Sequence, residues 1–304
     1  MAELKFYTLD VFSKNLFGGN PLAVFLEADR LSQMQMQCIA AEINYSETVF
    51  ILKPDNIENS AKVKIFTPKN ELPFAGHPNV GAGFLLSMDK SLIPGKFTKE
   101  KLIFEEKAGL VNVFPQYQRD TVTGSEIEAP NLFSIANEIP VSIVTDCAGL
   151  DYSSILVNNS PPVIAGVGLE FAIAEVKNKK VLDTAKCNLP GFEKANKSYN
   201  FMDDFFSLML FAKGEKNNLF ARVFAPLSGI VEDAATGSAC GALGGLLASL
   251  DGMESGKCNY TIHQGEAIGR PSIIKISVTK TKGLSSRPLI SGDSVLVSEG
   301  IFYI

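Results

Sequence analysis

The residue types that build metal and cofactor sites are scarce in this sequence. Its 304 residues include only two histidines, His77 and His263, which are too few for an HExxH motif or a histidine-rich metal cluster. No CxxC pair occurs among the five cysteines, and no Walker A loop is present. Gly166-Val-Gly168 is a GxG that lacks the third glycine of a dinucleotide-binding loop. We therefore expect a protein that uses no metal, nucleotide or organic cofactor.

Basic stripes and long apolar runs are also missing. The net charge is −5, whereas a general nucleic-acid binder needs clustered positive charge. The longest weakly polar stretch, residues 237–250, is too short and too rich in glycine and alanine to span a bilayer. An odd number of scattered cysteines is typical of reduced thiols in the cytoplasm. We expect a cytoplasmic homodimer that binds neither nucleic acid nor membrane.

Local patterns predict alternating strands and helices. Ser32 and Gln35 have the spacing of a capping box, which predicts a helix over residues 31–44. The C-terminal run predicts two terminal strands, over residues 294–297 and 300–304. Segments rich in β-formers predict further strands over residues 5–12, 22–26, 48–52 and 62–66.

The most informative feature is an internal sequence repeat, called the echo below. Residues 64–68 end in Phe-Thr-Pro and precede a short loop and a small-residue helical segment, 75–86. Residues 222–226 end in Phe-Ala-Pro and precede a similar loop and segment, 235–247. The two copies lie about 160 residues apart, which is too far for a solenoid repeat. The echo therefore favours two similar half-molecules, each with one helix packed against a sheet.

The glycines of these two segments indicate close packing. Glycine costs about 1 kcal/mol relative to alanine in a helix interior, and it is tolerated where neighbours approach the backbone closely. Two unrelated flexible loops are the alternative, but Phe84-Leu85-Leu86 and Leu246-Leu247 supply apolar anchors at matching places. We expect an α+β fold of two pseudo-symmetric halves, each a mixed β-sheet wrapped around a central helix. The first half covers residues 1–130 and the second 131–289, residues 290–304 cross back, and the active site lies between the halves.

Polar residues stand at the start of both helical segments. His77 lies between Gly76 and Pro78, a residue suited to the first helical position, although a lone histidine can also be structural. Asp233 precedes the second segment and could serve only as a helix cap. Helix N-termini present unpaired N–H groups and a partial positive charge. We therefore expect a carboxylate or similar anion to bind at residues 76–78 and 236–238.

Several motifs together resemble the phenazine-biosynthesis isomerase (PhzF-like) family, which has the diaminopimelate-epimerase-like fold. The resemblance covers nearly the whole chain. It rests on Asp10-Val-Phe12, Phe17-Gly-Gly-Asn-Pro21, Ser46-Glu47-Thr48, Phe66-Thr-Pro68, Glu71-Leu-Pro-Phe-Ala-Gly-His-Pro78, Gly229-Ile-Val-Glu-Asp-Ala-Ala-Thr-Gly-Ser-Ala239, Gln264-Gly265 and Gly269-Arg-Pro-Ser272.

The resemblance implies a role for each candidate site residue. Glu47, which read alone would be an ordinary surface carboxylate, becomes the acid/base that removes and returns a proton. His77 and Asp233 become its polar partners. The resemblance further implies substrate contacts at Ser46, Gly76, Gly237 and Ser238.

The implied activity is a cofactor-independent isomerisation of a small carboxylate-bearing substrate. In the best-known family member that substrate is trans-2,3-dihydro-3-hydroxyanthranilate. An epimerase or racemase of an amino or hydroxy acid is one alternative, with Asp233 or His77 as the second proton carrier. Epimerases of this fold use two cysteines, whereas the matching positions here are Ala75 and Ala234, and Cys240 lies further on. A non-catalytic binding protein on the same fold is the other alternative.

Overall fold

The computed structural model describes residues 3–199 and 205–304; residues 1, 2 and 200–204, which the predicted halves include, lie outside that part. The helices are α1 (Gln33–Ile43), α2 (Gly76–Met88), α3 (Val141–Ala148), α4 (Lys179–Thr184), α5 (Leu189–Ser198) and α6 (Gly237–Leu250). The strands are β1 (Glu3–Val11), β2 (Asn20–Phe25), β3 (Glu47–Leu52), β4 (Ala61–Phe66), β5 (Glu71–Leu72), β6 (Leu102–Glu106), β7 (Gly109–Gln118), β8 (Thr121–Glu128), β9 (Ser134–Glu138), β10 (Ile155–Leu156), β11 (Val163–Gly166), β12 (Glu170–Val176), β13 (Leu208–Lys213), β14 (Asn218–Ala225), β15 (Ile230–Asp233), β16 (Gly256–Gln264), β17 (Ser272–Thr281), β18 (Leu284–Ser285) and β19 (Leu289–Tyr303).

The chain forms two compact units. The first comprises residues 1–128 and 291–304, and the second comprises residues 129–290. The chain leaves the first unit after β8 and returns to it within β19.

The first unit is a closed, mixed β-barrel around α2. Its strands follow the order β1, β2, β3, β4, β6, β7, β8 and β19, and β19 also pairs with β1, so these eight strands form a closed ring. The pairs β2–β3 and β4–β6 are parallel, whereas β1–β2, β3–β4, β6–β7, β7–β8 and β1–β19 are antiparallel. Every residue of α2 from Gly76 to Ser87 is buried. The predicted central helix of the first half is confirmed.

Small residues let the barrel close tightly on α2. A Cβ atom added at Gly81 would lie 2.5 Å from Leu22 Cδ2, and one added at Gly83 would lie 2.3 Å from Val113 Cγ1. Ser125 lies beside Gly83, and its hydroxyl donates a 2.8 Å hydrogen bond to the carbonyl oxygen of Val80. The glycines that weaken this helix by propensity therefore make room for the strands around it.

A second layer covers the outer face of β2, β3 and β4. Helix α1 begins with the predicted capping box, in which the Ser32 hydroxyl accepts from Gln35 N and the Gln35 side chain accepts from Ser32 N. Its apolar face packs on a cluster that includes Phe25, Phe50 and Phe66. Phe25 and Phe50 stack with ring centroids 5.3 Å apart, which fixes this face of the sheet against the helix.

The second unit also holds one buried helix against a mixed sheet. Strands β9, β11, β12, β13, β14, β16 and β17 follow one another, with β12–β13 and β14–β16 parallel. Helix α6 packs on β11, β12, β16 and β17, and a Cβ atom added at Gly244 would lie 2.3 Å from Ile276 Cγ2. Another core, shared with helices α3, α4 and α5, includes Phe192, Phe206 and Phe224.

Two sequence-based details are wrong. The two predicted terminal strands are one continuous strand, β19. Its pairing register with β1 shifts at a bulge opposite Thr8 and Leu9, and β19 pairs with β1 on both sides of that bulge. Gly300 is extended and allows the Phe6 ring to approach the backbone closely. Pro78 occupies the third position of α2, where its missing N–H still belongs to the unpaired first turn.

Over the described residues, no helix is long and apolar enough to cross a membrane.

Candidate active site

The first turn of α2 carries the histidine of the site. Helix α2 begins at Gly76, and the preceding residue, Ala75, has no side-chain oxygen to cap the first N–H groups. His77 follows as the second helical residue, and its side chain is only 5% exposed. The fold thus places an imidazole beside a helix N-terminus, where the local field favours negative charge.

Glu47 faces this histidine from the wall of the barrel. It opens β3 and pairs in parallel register with Leu22, whose side chain contacts the position of Gly81 on α2. Side chains paired across a sheet point to the same face, so the Glu47 side chain also faces α2. Its Oε2 lies 3.5 Å from Nε2 of His77, and the Glu47 side chain is 15% exposed.

Burial changes the acidity of this carboxyl group. Removal from water raises the pKa of Glu47 to about 7, and the neighbouring Ser46 side chain opposes that shift in part. Glu47 Oε2 is buried and makes no hydrogen bond of normal geometry with the described residues. Its contact with His77 Nε2 is therefore an ion-pair contact and not a hydrogen bond. A carboxyl group with a pKa near neutrality can both accept and return a proton at working pH.

Asn20 completes the polar cluster of the first unit. The Ser46 hydroxyl donates a 3.1 Å hydrogen bond to Asn20 Oδ1, and Asn20 Nδ2 lies 3.5 Å from His77 Nδ1. Asn20 is 2% exposed and was not among the sequence-predicted site residues. Its signal was present in the Phe17–Pro21 motif, but an asparagine after two glycines also fits an ordinary turn.

The second unit gathers its own candidates before α6. Thr236 Oγ1 donates a 2.6 Å hydrogen bond to Asp233 Oδ2. Gln264 Nε2 donates to the Asp233 carbonyl oxygen at 2.9 Å and to Thr236 Oγ1 at 3.0 Å, and its Oε1 accepts from Thr236 N at 3.1 Å. Gln264 therefore fixes the loop that leads into α6. Thr236 belongs to the segment that was expected to bind an anion, whereas Gln264 occurs in a recognised motif but was not predicted as a site residue.

Helix α6 starts with the two remaining candidates. Gly237 and Ser238 are its first two residues, and both are buried. Cys240 lies in the next turn, and its Sγ is 3.6 Å from Gln264 Oε1. Burial raises the pKa of the Cys240 thiol well above its usual range, so this cysteine is poorly suited to act as a thiolate base.

The structure thus brings Ser46, Glu47 and His77 together in the first unit, with Gly76 adjoining His77. In the second unit, Asp233 accepts a hydrogen bond from Thr236, the residue that precedes Gly237 and Ser238 at the start of α6. That the two groups serve one substrate, and bind an anion jointly, stays a prediction from the sequence. Within residues 3–199 and 205–304, no group of three or more His, Cys, Asp or Glu side chains is arranged to hold a metal ion.

Comparison with known proteins identifies a family match over most of the chain. Residues 9–300 match the model of the PhzC-PhzF family, described as phenazine biosynthesis-like protein. Antisense-enhancing sequence 1 of Schizosaccharomyces pombe is 33% identical over 308 residues, covering all of both chains. The trans-2,3-dihydro-3-hydroxyanthranilate isomerase of Pseudomonas aeruginosa is 32% identical over 306 residues, covering 99% of both.

Solved structures share the fold. The phenazine biosynthesis protein of the PhzF family from Bacillus anthracis superposes with a TM-score of 0.87 at 23% identity, covering 100% of both chains. A hydroxyproline epimerase from Agrobacterium vitis superposes with a TM-score of 0.68 at 11% identity, covering 98% of this chain and 92% of the epimerase. The expected α+β fold of the diaminopimelate-epimerase-like kind is confirmed.

Proposed function

The chain belongs to the phenazine biosynthesis-like protein family, and we propose that it is a cofactor-independent isomerase that shifts a proton on a small carboxylate-bearing substrate. One observation carries the proposal. The buried carboxyl group of Glu47, with its pKa raised to about 7, faces His77 inside a closed barrel. A group that must act first as base and then as acid works best with such a pKa.

The proposed reaction moves one proton between two carbons. Ionised Glu47 takes a proton from a substrate carbon, and the electron pair of that C–H bond forms a new double bond as the existing one shifts. The protonated carboxyl group then returns the proton to the carbon at the far end of the shifted system. Charge is conserved at each step, so no oxidant, reductant or co-reactant is needed.

Neighbouring polar groups have supporting roles in this proposal. His77 stabilises the ionised form of Glu47, because its Nε2 faces Oε2 of the carboxylate. Ser46 and the backbone at Gly76 contact the substrate at the start of α2. Asp233 is the second polar partner, and Gly237 and Ser238 contact the substrate at the start of α6. Fixed donors at helix starts stabilise negative charge that develops as the proton leaves.

The named activity of one relative supports a substrate class. The Pseudomonas aeruginosa protein at 32% identity is named an isomerase of trans-2,3-dihydro-3-hydroxyanthranilate. We propose a cyclic, dihydro-hydroxyanthranilate-like carboxylate as the substrate here. The proposal also includes a cytoplasmic homodimer, and sedimentation equilibrium tests the homodimer.

An epimerase is the second candidate, because the hydroxyproline epimerase shares the fold. Epimerisation needs a second proton carrier on the opposite face of the carbon, and only His77 or Asp233 could serve. The residue before α2 is Ala75 and the matching position in the second unit is Ala234, so neither carries a thiol. Product analysis separates the candidates, since an isomerase moves a double bond and an epimerase inverts one centre. A binding protein without activity gives neither product.

The testing experiment replaces the proposed proton carrier. Glu47→Gln keeps the shape of the side chain but cannot accept a proton near neutral pH. We expect turnover of trans-2,3-dihydro-3-hydroxyanthranilate to fall by roughly 10²–10⁴-fold or more. The control is Glu42→Gln, an exposed carboxylate on α1, which should leave turnover unchanged. Activity of Glu47→Gln within about tenfold of the unaltered protein would exclude Glu47 as the proton carrier.

A further inference from the structure

One buried amide links two groups of the proposed site. Asn20 Oδ1 accepts a 3.1 Å hydrogen bond from the Ser46 hydroxyl, and its Nδ2 lies 3.5 Å from His77 Nδ1. The other ring nitrogen of His77, Nε2, lies 3.5 Å from Glu47 Oε2. Ser46, Asn20, His77 and Glu47 therefore form a continuous chain of polar contacts.

The fold aims the Asn20 side chain at α2. The preceding residue, Gly19, has a φ of +64°, and a Cβ atom there would lie 2.3 Å from the carbonyl oxygen of Val11. Only glycine fits that turn without strain. Asn20 then opens β2 two residues before Leu22, so both side chains lie on the face that contacts α2. The amide is held by backbone geometry as well as by its hydrogen bonds.

The orientation of the amide determines what His77 can do. Because Asn20 Oδ1 receives the Ser46 proton, Nδ2 is the atom that faces His77, and it can only donate. His77 Nδ1 must therefore accept, which requires the neutral ring to carry its proton on Nε2. That nitrogen faces Oε2 of Glu47.

We propose that Asn20 is a positioning residue that holds neutral His77 in the Nε2–H tautomer and so directs an N–H donor toward the Glu47 carboxylate. In the opposite tautomer, a lone pair on Nε2 would face the lone pairs of Oε2. That arrangement disfavours the ionised carboxylate, which is the form that takes the substrate proton. The catalytic consequence rests on the proposed function, whereas the tautomer itself does not.

Asn20→Asp is the sharpest substitution for this proposal. The side chain keeps its shape, but an ionised carboxylate offers only acceptors to His77 Nδ1. We expect Nδ1 to gain a proton in this variant, whereas it carries none in the unaltered protein with a neutral ring. Asn20→Ala removes the amide without supplying an acceptor and should allow a mixture of tautomers.

Nitrogen NMR reads the tautomer directly and needs no substrate. The sequence has only two histidines, so a protein labelled with ¹⁵N at histidine gives two ring systems, and a His263→Gln variant assigns them. We expect Nε2 of His77 to be protonated and Nδ1 unprotonated when the ring is neutral. A proton on Nδ1 in the unaltered protein would overturn the proposal. So would an Asn20→Asp variant that leaves Nδ1 unprotonated while its thermal unfolding shows an intact fold.

Activity measurements provide a separate arm. We expect Asn20→Asp to lower kcat/KM on the order of 10²-fold, and Asn20→Ala to lower it less. The acid limb of the pH–rate profile should move to higher pH in Asn20→Asp, a change that mere loosening of the fold would not produce. An unshifted acid limb would contradict the positioning role. If no variant and no unaltered protein shows turnover, the proposed function fails while the NMR result still decides the tautomer.

Discussion

Burial decides what each carboxyl group of the first unit can do. Glu105 and Glu106 are adjacent in β6, yet their environments are opposite. Glu105 accepts hydrogen bonds from Asn59 Nδ2 at 2.7 Å and from two backbone N–H groups, of Asp55 and Asn56. Both oxygens of Glu106 are buried without a hydrogen bond of normal geometry to the described residues. Glu47 resembles Glu106 in its burial, but His77 lies within ion-pair distance of it.

The raised pKa of Glu47 predicts the pH dependence of the reaction. In the proposed reaction Glu47 must be ionised to take a proton, and burial raises its pKa to about 7 against a smaller opposing effect of the Ser46 side chain. We expect kcat/KM to fall about tenfold per pH unit below that value. An acid limb near pH 4 to 5, the range of an ordinary glutamate, would exclude Glu47 as the base.

Glu106 predicts a separate effect on stability. Burial raises the pKa of Glu106 to about 8, with the nearby Asn79 side chain opposing the shift. The folded protein therefore holds a proton that the unfolded chain releases above pH 4 to 5. Buried Glu106 consequently destabilises the fold least in acid, and it lowers the free energy of unfolding more and more as the pH rises toward 8. We expect Glu106→Gln to raise the free energy of unfolding at pH 8 by roughly 2–4 kcal/mol, and to raise it little at pH 4.

Glu105→Gln is the matched control with the opposite sign. Burial acts to raise the pKa of Glu105, but the hydrogen bonds from Asn59, Asn56 and Asp55 outweigh it and hold the pKa below its usual range. That stabilisation is present at neutral pH and is lost in acid, so Glu105→Gln should destabilise the fold at pH 7. Urea denaturation at several pH values measures both variants. A pH-independent effect of Glu106→Gln would contradict the assignment of a buried neutral acid.

At the level of elements, helix α2 contributes both to the packing of the barrel and to the candidate site. Its interior glycines let the barrel close, and its first turn supplies His77. We expect Gly83→Ala to lower the free energy of unfolding by about 1–2 kcal/mol, because the new methyl group must displace Val113 and Ser125. The gain in helix propensity, about 1 kcal/mol, offsets only part of that cost.

Gly252→Ala is the control for this change, since a Cβ atom there meets nothing within 4 Å. Thermal or urea unfolding of the two variants should separate them clearly. Equal stabilities would show that the barrel yields easily around α2 and would contradict the tight packing described here.

Local rules predicted the elements better than the contacts between them. The capping box at Ser32 and the small-residue helix after Phe66 were readable because each depends on neighbours in sequence. The roles of Asn20 and Glu106 were not, since each depends on strand register and on a helix many residues away.

The candidate site was predicted mainly from ordered motifs. Spacing alone left Glu47 as an ordinary surface carboxylate, and its burial became visible only when β3 and α2 were placed together. Gln264 was not predicted because its hydrogen bond to Thr236 joins positions that lie 28 residues apart.

At the scale of the whole chain, the fold does not by itself identify the reaction. The fold is shared with a PhzF-family protein at 23% identity and with a hydroxyproline epimerase at 11% identity. A shared fold does not assign a reaction, so the site must do so. Here Ala75 stands before α2, and the acid/base candidate beside that helix start is a buried carboxyl group on β3.

The central claim is that this chain alone catalyses a proton shift. The direct measurement incubates the purified protein, dialysed against a chelator, with trans-2,3-dihydro-3-hydroxyanthranilate and related cyclic carboxylates in D₂O, and follows the products by NMR. We expect a double-bond isomer to form without added metal or cofactor, at a rate that Glu47→Gln abolishes. Contradiction would come from a folded protein that neither shifts a double bond nor exchanges a carbon-bound hydrogen in any of these compounds. Activity that disappears after chelation and returns with a metal ion would contradict the claim equally.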